Sequence, residues 1–317
     1  MSCSEGTNMP RPRRLPADLR EKKSVIVTGG TYGIGRGISL GLSRRGYGVV
    51  AFGVSVRQPG SLAENATESL KSEARELGLR LDVLEADVSK VADVQRVIEF
   101  SLHRYGVING LVNNAAIGPL GNILETPEEL WDRIINVNLK GMYLACKAVL
   151  PNMIQHGGGS IVNIGSGAGW GKPNMLAYAA SKGGVFALSA SLAYDHFRDH
   201  VRVNTVVPGG GGIVTGMSLG RVGGDLEKLS RGGSGTVAGR SAEPSDVEAA
   251  VAFLLSDEAA AISGTVIDVG CFSHQGGPIP ARSTVLSALG ESETTKSESR
   301  QGNVPVASAR SKSRSKG

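Results

Sequence analysis

Tyr178 and Lys182 stand four residues apart in "YAASK", with only small side chains between them, in a chain of 317 residues that is 4% aromatic. On a helix that spacing puts both on one face, so a phenol and an ammonium would act on one small volume. A phenol of ordinary pKa, about 10, exchanges protons poorly at neutral pH, whereas a neighbouring cation favours the phenolate and lowers that value. The pair would then be a usable acid/base. By itself, Y-x-x-x-K is too short to separate this reading from a surface pair on an ordinary helix, so the rest of the chain must decide.

A second chemical signal lies near the start. The apolar run "SVIVTGG" (24–30) leads into "TGGTYGIGRG". A glycine-rich turn between a first strand and its helix can seat a dinucleotide pyrophosphate against the helix N-terminus. Gly29 allows the tight turn, Gly33 the close approach of backbone to phosphate, and Gly35 the packing of helix on strand. Thr31, Tyr32 and Ile34 complete the candidate cofactor-binding stretch.

These groups need a scaffold. Seven Val/Ile-rich runs read as strands: 24–30, 48–54, 81–88, 108–116, 160–166, 201–210 and 264–270. Between them, 35–46, 61–78, 91–105, 127–155, 178–199 and 244–256 have helical spacing. Alternation of strand and helix predicts an α/β fold, a parallel sheet covered on both faces. Composition does not shift between residues 23 and 272, which predicts one catalytic domain there.

The ends differ. The net charge of +5 divides into five basic and three acidic residues in 1–22, seven and three in 273–317, and 22 and 23 in the body. Both ends are polar and lack apolar periodicity, so they read as disordered tails, the second a basic Ser/Arg/Lys-rich one. Nucleic-acid binding by those tails is the weaker expectation; solvated tails are the stronger. No apolar run reaches the roughly 20 residues needed for a membrane span, and no secretory signal is evident, so a cytoplasmic protein is expected. Cys3, Cys146 and Cys271 are too widely spaced for a metal cluster, and no metal site is expected.

With both chemical signals in one chain, six features fall in the order characteristic of one family: "TGGTYGIG" (28–35), "ADV" (86–88), "NNAA" (113–116), "NVNLKG" (136–141), "GS" followed by "YAASK" (165–182), and "PG" (208–209). Over about residues 23–272 the sequence resembles the short-chain dehydrogenase/reductase family. The resemblance implies a Rossmann-type, three-layer, doubly wound parallel sheet in the order 3-2-1-4-5-6-7. It also implies an NAD(P)-dependent oxidoreductase acting on a carbonyl or secondary alcohol, and a homotetramer or homodimer. The family's catalytic set maps onto Asn138, Ser166, Tyr178 and Lys182. In that mapping Tyr178 exchanges the proton, Lys182 holds the ribose and depresses the tyrosine pKa, Ser166 donates to the substrate oxygen and Asn138 anchors a water. Asp87 and Val88 resemble the adenine contacts, Asn114 and Ala115 the cofactor wall, Pro208 and Gly209 the nicotinamide turn, and Thr215 the carboxamide contact. Ala116 replaces the family's usual glycine, and Ser166 precedes Tyr178 by one residue less than the commonest spacing. The alternative to an enzyme is a non-catalytic NAD(P)-binding sensor or scaffold.

An acid at the end of the second strand would bond both ribose hydroxyls and repel a 2′-phosphate. That position is about Gly53, followed by Ser55 and Arg57, so NADP(H) is expected over NAD(H). The segment between Thr215 and Pro244, rich in glycine, is expected to be a mobile cover over the substrate, with Trp170, Met175 and Leu176 as an apolar wall.

Overall fold

The computed structural model describes residues 23–55, 65–209, 213–231, 236 and 238–270. Both expected tails and Arg57 lie outside the described residues.

Seven strands form one sheet, every pair parallel, in the order β3-β2-β1-β4-β5-β6-β7. They are β1 Ser24–Thr28, β2 Gly48–Gly53, β3 Leu81–Glu85, β4 Gly110–Asn113, β5 Gly159–Ile164, β6 Val201–Val207 and β7 Val266–Asp268. Along β1, Val25 and Val27 enter one apolar core while Ile26 enters the other, the period-two alternation of a strand with two covered faces. One face is closed by α1 (Gly33–Arg44), α2 (Ala66–Glu76) and α9 (Pro244–Leu255), through Ile38, Leu70 and Val247. The other is closed by α3 (Val91–Tyr105) and α5 (Gly141–Gln155), through Val97 and Met153, with Ala193 of α6 (Leu176–Asp195) joining them.

The sheet order reverses between β1 and β4, and such a switch point opens a crevice beyond the carboxyl ends of the strands. The strands themselves end earlier than their apolar runs. Gly29, with φ of +60°, already belongs to the turn rather than to β1, and β4 stops at Asn113, so Asn114 and Ala115 sit on the crevice rim.

Two expected elements differ. The helix predicted over 127–155 is broken into α4 (Glu128–Ile135), a π turn (Asn136–Lys140) and α5. The glycine-rich cover contains two short helices, α7 (Gly216–Arg221) and α8 (Leu226–Arg231). A capping box explains the first: the Thr215 hydroxyl accepts from Ser218 N while the Ser218 hydroxyl accepts from Thr215 N.

Candidate active site

The glycine turn is held by side chains at the end of β1 and just after β4. Thr28 Oγ1 accepts from the backbone N–H of both Asn114 and Ala115 at 3.0 Å, and the Asn114 amide donates to Gly29 O at 2.9 Å. A Cβ on Gly35 would lie 2.0 Å from Gly29 O and 2.4 Å from Asn114 Nδ2, so only glycine lets α1 start this close. Gly33, at φ +56°, turns the chain into α1. That helix begins at Tyr32 without a side-chain cap and without an acid in its first turn. Its leading N–H groups therefore have no anionic neighbour of their own, which suits a phosphate. The residues present fit a dinucleotide.

Across the crevice, Tyr178 and Lys182 lie on α6 as the spacing predicted, both buried. The π turn presents Asn138 to the loop after β4. Its Oδ1 accepts from Ile117 N and its Nδ2 donates to Ile117 O, both at 2.8 Å, and Nδ2 also donates to Ser181 Oγ at 3.0 Å. Both amide protons are spent within the protein. Local π geometry is common where a helix has been adapted to a site, and here it aims one amide at one peptide.

Ser166 follows β5 and opens a 3₁₀ turn (Gly167–Trp170), its Oγ accepting from Ala168 N at 3.2 Å. The same hydroxyl is close enough to the Tyr178 phenol to favour its ionised form. Trp170, at the end of that turn, stacks on Phe186 with ring centroids 4.4 Å apart. Met175 is bridged to Gly121 in the loop before α4, which fixes the entrance to α6.

The electrostatics depart from expectation. Burial is the largest influence on Tyr178 and pushes its pKa up; Ser166 and Arg221 pull it back. Burial also pushes Lys182 down to about 8. Lys182 Nζ donates to Ile164 O at 2.7 Å and lies 5.9 Å from the centre of the Tyr178 ring. The cation nearer that ring is Arg221 of α7, 4.9 Å from the centroid, which sequence reasoning did not single out. A lone arginine among glycines and small residues carries no pattern to find it by.

The other sequence-derived positions are distributed around the crevice. Thr215 lies over the glycine turn: a Cβ on Gly33 would come 3.5 Å from it. Tyr32 reaches the same segment, its ring packed on Gly216, where a Cβ would stand 2.8 Å from Tyr32 Cε1. Pro208 and Gly209 follow β6, partly exposed. Asp87 is occupied locally, its Oδ1 accepting from Ser89 N and Oγ, while Val88 is buried beside Gly141. On the far side of the turn, Gly53 ends β2 against Thr31, whose hydroxyl a Cβ there would meet at 2.6 Å. Ser55 Oγ lies 3.4 Å from Glu85 Oε2 at the end of β3. The sequence reading counted no acid at this rim because it looked only along β2; parallel pairing supplies one from the neighbouring strand.

A switch-point crevice with a glycine turn on one side and a Ser/Tyr/Lys group on the other defines a dinucleotide-dependent oxidoreductase of Rossmann type. A family profile described as "Enoyl-(Acyl carrier protein) reductase" matches residues 29–271. The chain is 38% identical over 256 residues to 2-(S)-hydroxypropyl-CoM dehydrogenase 3 of Xanthobacter autotrophicus, covering 79% of this chain and 96% of that one. It is 34% identical to the 3-oxoacyl-[acyl-carrier-protein] reductase FabG of Thermotoga maritima, covering 78% and 96%. Among solved structures, actinorhodin polyketide ketoreductase with NADPH aligns at TM-score 0.71 and 30% identity, and levodione reductase at 0.72 and 28%, each over 80% of this chain and 98% of the other. The chain belongs to the short-chain dehydrogenase/reductase family and is an NAD(P)-dependent oxidoreductase. No metal-binding group is found among the described residues, and no helix there is long and apolar enough to cross a membrane.

Proposed function

We propose that the protein interconverts a ketone and a secondary alcohol, with Tyr178 as acid/base. The observation that carries this reading is the convergence of Ser166 and Tyr178 on the floor of the crevice, with Lys182 buried one helical turn behind the tyrosine. The bound nicotinamide supplies or accepts the hydride. Ser166 and Tyr178 hold the substrate oxygen between two hydroxyls, so that charge developing on it meets a donor from each side. Tyr178 gives that oxygen its proton in reduction and takes it back in oxidation. Lys182 lies where a ribose would meet α6, and Asn138 fixes the Ile117 peptide that walls the crevice. The relatives' names, a hydroxypropyl dehydrogenase, a 3-oxoacyl reductase and a levodione reductase, share the same oxygen chemistry.

NADP(H) is the proposed cofactor. Gly53 leaves the adenosine side of β2 without an acid, and Ser55 offers a hydroxyl there. Glu85 opposes a 2′-phosphate from the adjacent strand, which makes it the residue that tempers the preference. We further infer a cytoplasmic homo-oligomer. Exposed Tyr143, Ile154, Tyr194 and Phe197 on α5, α6 and the turn after it support self-association, which light scattering reads directly. The experiment for the catalytic reading follows NAD(P)H absorbance against a panel of ketones and alcohols, with Tyr178→Phe as control; no substrate-dependent change with either nucleotide across the panel would reject it.

A further inference from the structure

We propose that Arg221 is the positioning residue that poises Tyr178 for proton exchange, holding its guanidinium against the phenol from the cover helix α7. The inference rests on the reading of Tyr178 as acid/base.

The geometry is that of a placed cation. Arg221 Nε and Nη2 both donate to Gly118 O, at 3.2 and 3.1 Å. This two-pronged anchor fixes the plane of the guanidinium, which stacks 4.9 Å from the centre of the Tyr178 ring. Gly118 leaves room for the anchored guanidinium. A Cβ there would stand 2.5 Å from Arg221 Nη2 and 3.1 Å from Tyr178 Cδ2. Among the described residues Arg221 has no carboxylate partner.

Three groups face the phenol: Lys182 from its own helix, Ser166 from the end of β5, and Arg221 from α7. No acid is among those acting on it. Lys182 is the more distant cation, its Nζ is committed to Ile164 O, and burial disfavours its charged form. Arg221 is the nearer cation, 4.9 Å from the ring centre against 5.9 Å for Lys182. Its helix starts against the glycine turn, where the Tyr32 ring packs on Gly216 and Thr215 lies over Gly33, so the cation is carried by an element that also touches the dinucleotide side.

A nearby cation favours phenolate, so removing it raises the pKa of Tyr178. Alcohol oxidation needs phenolate, and its rise with pH should therefore move upward when Arg221 is neutralised. The test measures kcat/KM for oxidation of an uncharged secondary alcohol against pH in the parent, Arg221→Gln and Arg221→Lys. Arg221→Gln should move the rise up by about one to two pH units, roughly tenfold in rate per unit below it, and Arg221→Lys should recover most of the shift. A tyrosinate difference titration, each protein minus its Tyr178→Phe counterpart, should show the same shift without turnover. Should Arg221→Gln not fold, as judged by circular dichroism, Gly118→Ala displaces the guanidinium and should give the same shift. An unchanged rise in a folded variant overturns the inference. So does a loss confined to acidic substrates, which would make Arg221 a substrate-anion contact. Full activity in Tyr178→Phe would instead sink the acid/base reading beneath it.

Discussion

The floor of the crevice and its cover are built on opposite principles. On the floor, Asn138, Tyr178 and Lys182 are buried, Ser166 stands beside them at the strand end, and all four rise from β5, α6 and the π turn with protein partners for their polar atoms. On the cover, α7 is six residues long, partly exposed, and stabilised by its own capping box rather than by a core. Chemistry that fails with small displacements sits where close packing forbids displacement; the cover brings its charge to the floor on a long side chain, that of Arg221. The sharpest way to break this contrast is Tyr178→Phe, which removes one hydroxyl and no packing. Turnover should fall about 100-fold or more while NADPH binding, followed by fluorescence titration, is retained. Retained turnover would show that the floor is not where the proton moves.

Burial of the floor has a thermodynamic consequence at Lys182. Its pKa falls from 10.5 to about 8 on folding, because burial disfavours the ammonium. Between those values the unfolded chain holds more protons than the folded one, so this group makes stability rise as pH increases from about 8 to 10.5, by about 3 kcal/mol at roughly 1.4 kcal/mol per unit. Urea titrations of the parent and Lys182→Met across that window should differ by this rise, present in the parent and missing in the variant. Parallel curves would mean that the lysine is solvated in the folded state. Close approach on the dinucleotide side is tested by Gly35→Ala, which sets a methyl 2.0 Å from Gly29 O, a backbone atom that cannot swing away. A loss of about 1–3 kcal/mol in stability and weaker NADPH binding are expected.

What could be read from the chain follows the same division. Runs of Val and Ile dictate the sheet, most plainly in the buried strands β1, β2, β4, β5 and β6, and the motifs order it, because a buried parallel strand leaves its mark in every residue. Tyr178 and Lys182 were legible because i, i+4 geometry is local. The π turn at Asn136–Lys140 was not: its cause is the grip of Asn138 on Ile117, a contact 21 residues away that no helical period encodes. Arg221 was hidden for a related reason, since 43 residues separate it from Tyr178 and no spacing rule joins them. Glu85 shows that even a correct strand can mislead. Its side chain matters through register, Gly53 opposite Glu85 on β3, and the register emerges only when strands pair.

Glu85 gives a smaller and more local test. It is exposed, and its carboxylate faces Ser55 at 3.4 Å, so its repulsion of a 2′-phosphate acts through a wet rim and is worth about 1 kcal/mol. Glu85→Gln should therefore raise the ratio of kcat/KM for NADPH over NADH by about fivefold at low salt, and less at high salt. An unchanged ratio would place the phosphate elsewhere on the rim.

The smallest expected effect probes the cover alone. Gly220 lies within α7, is exposed, has an ordinary negative φ, and a Cβ there would meet nothing within 4 Å. Alanine at that position loses less backbone freedom on folding than glycine, which favours helix by about 0.5–1 kcal/mol. If the cover is a locally stabilised element, Gly220→Ala should strengthen α7 with little change in global unfolding, because six residues contribute little to the cooperative core. Hydrogen exchange at the amides of Ser218 to Arg221 should slow by about threefold, while exchange in β5 and α6 stays the same. A matched rise in global stability would instead show that α7 folds as one unit with the floor, and the division between a rigid interior and an autonomous cover would fail. With Arg221 at the helix C-terminus, the same variant also bears on catalysis. A better-formed α7 holds the guanidinium against Tyr178 for more of the time, so the pH at which oxidation rises should stay the same or move slightly down, never up.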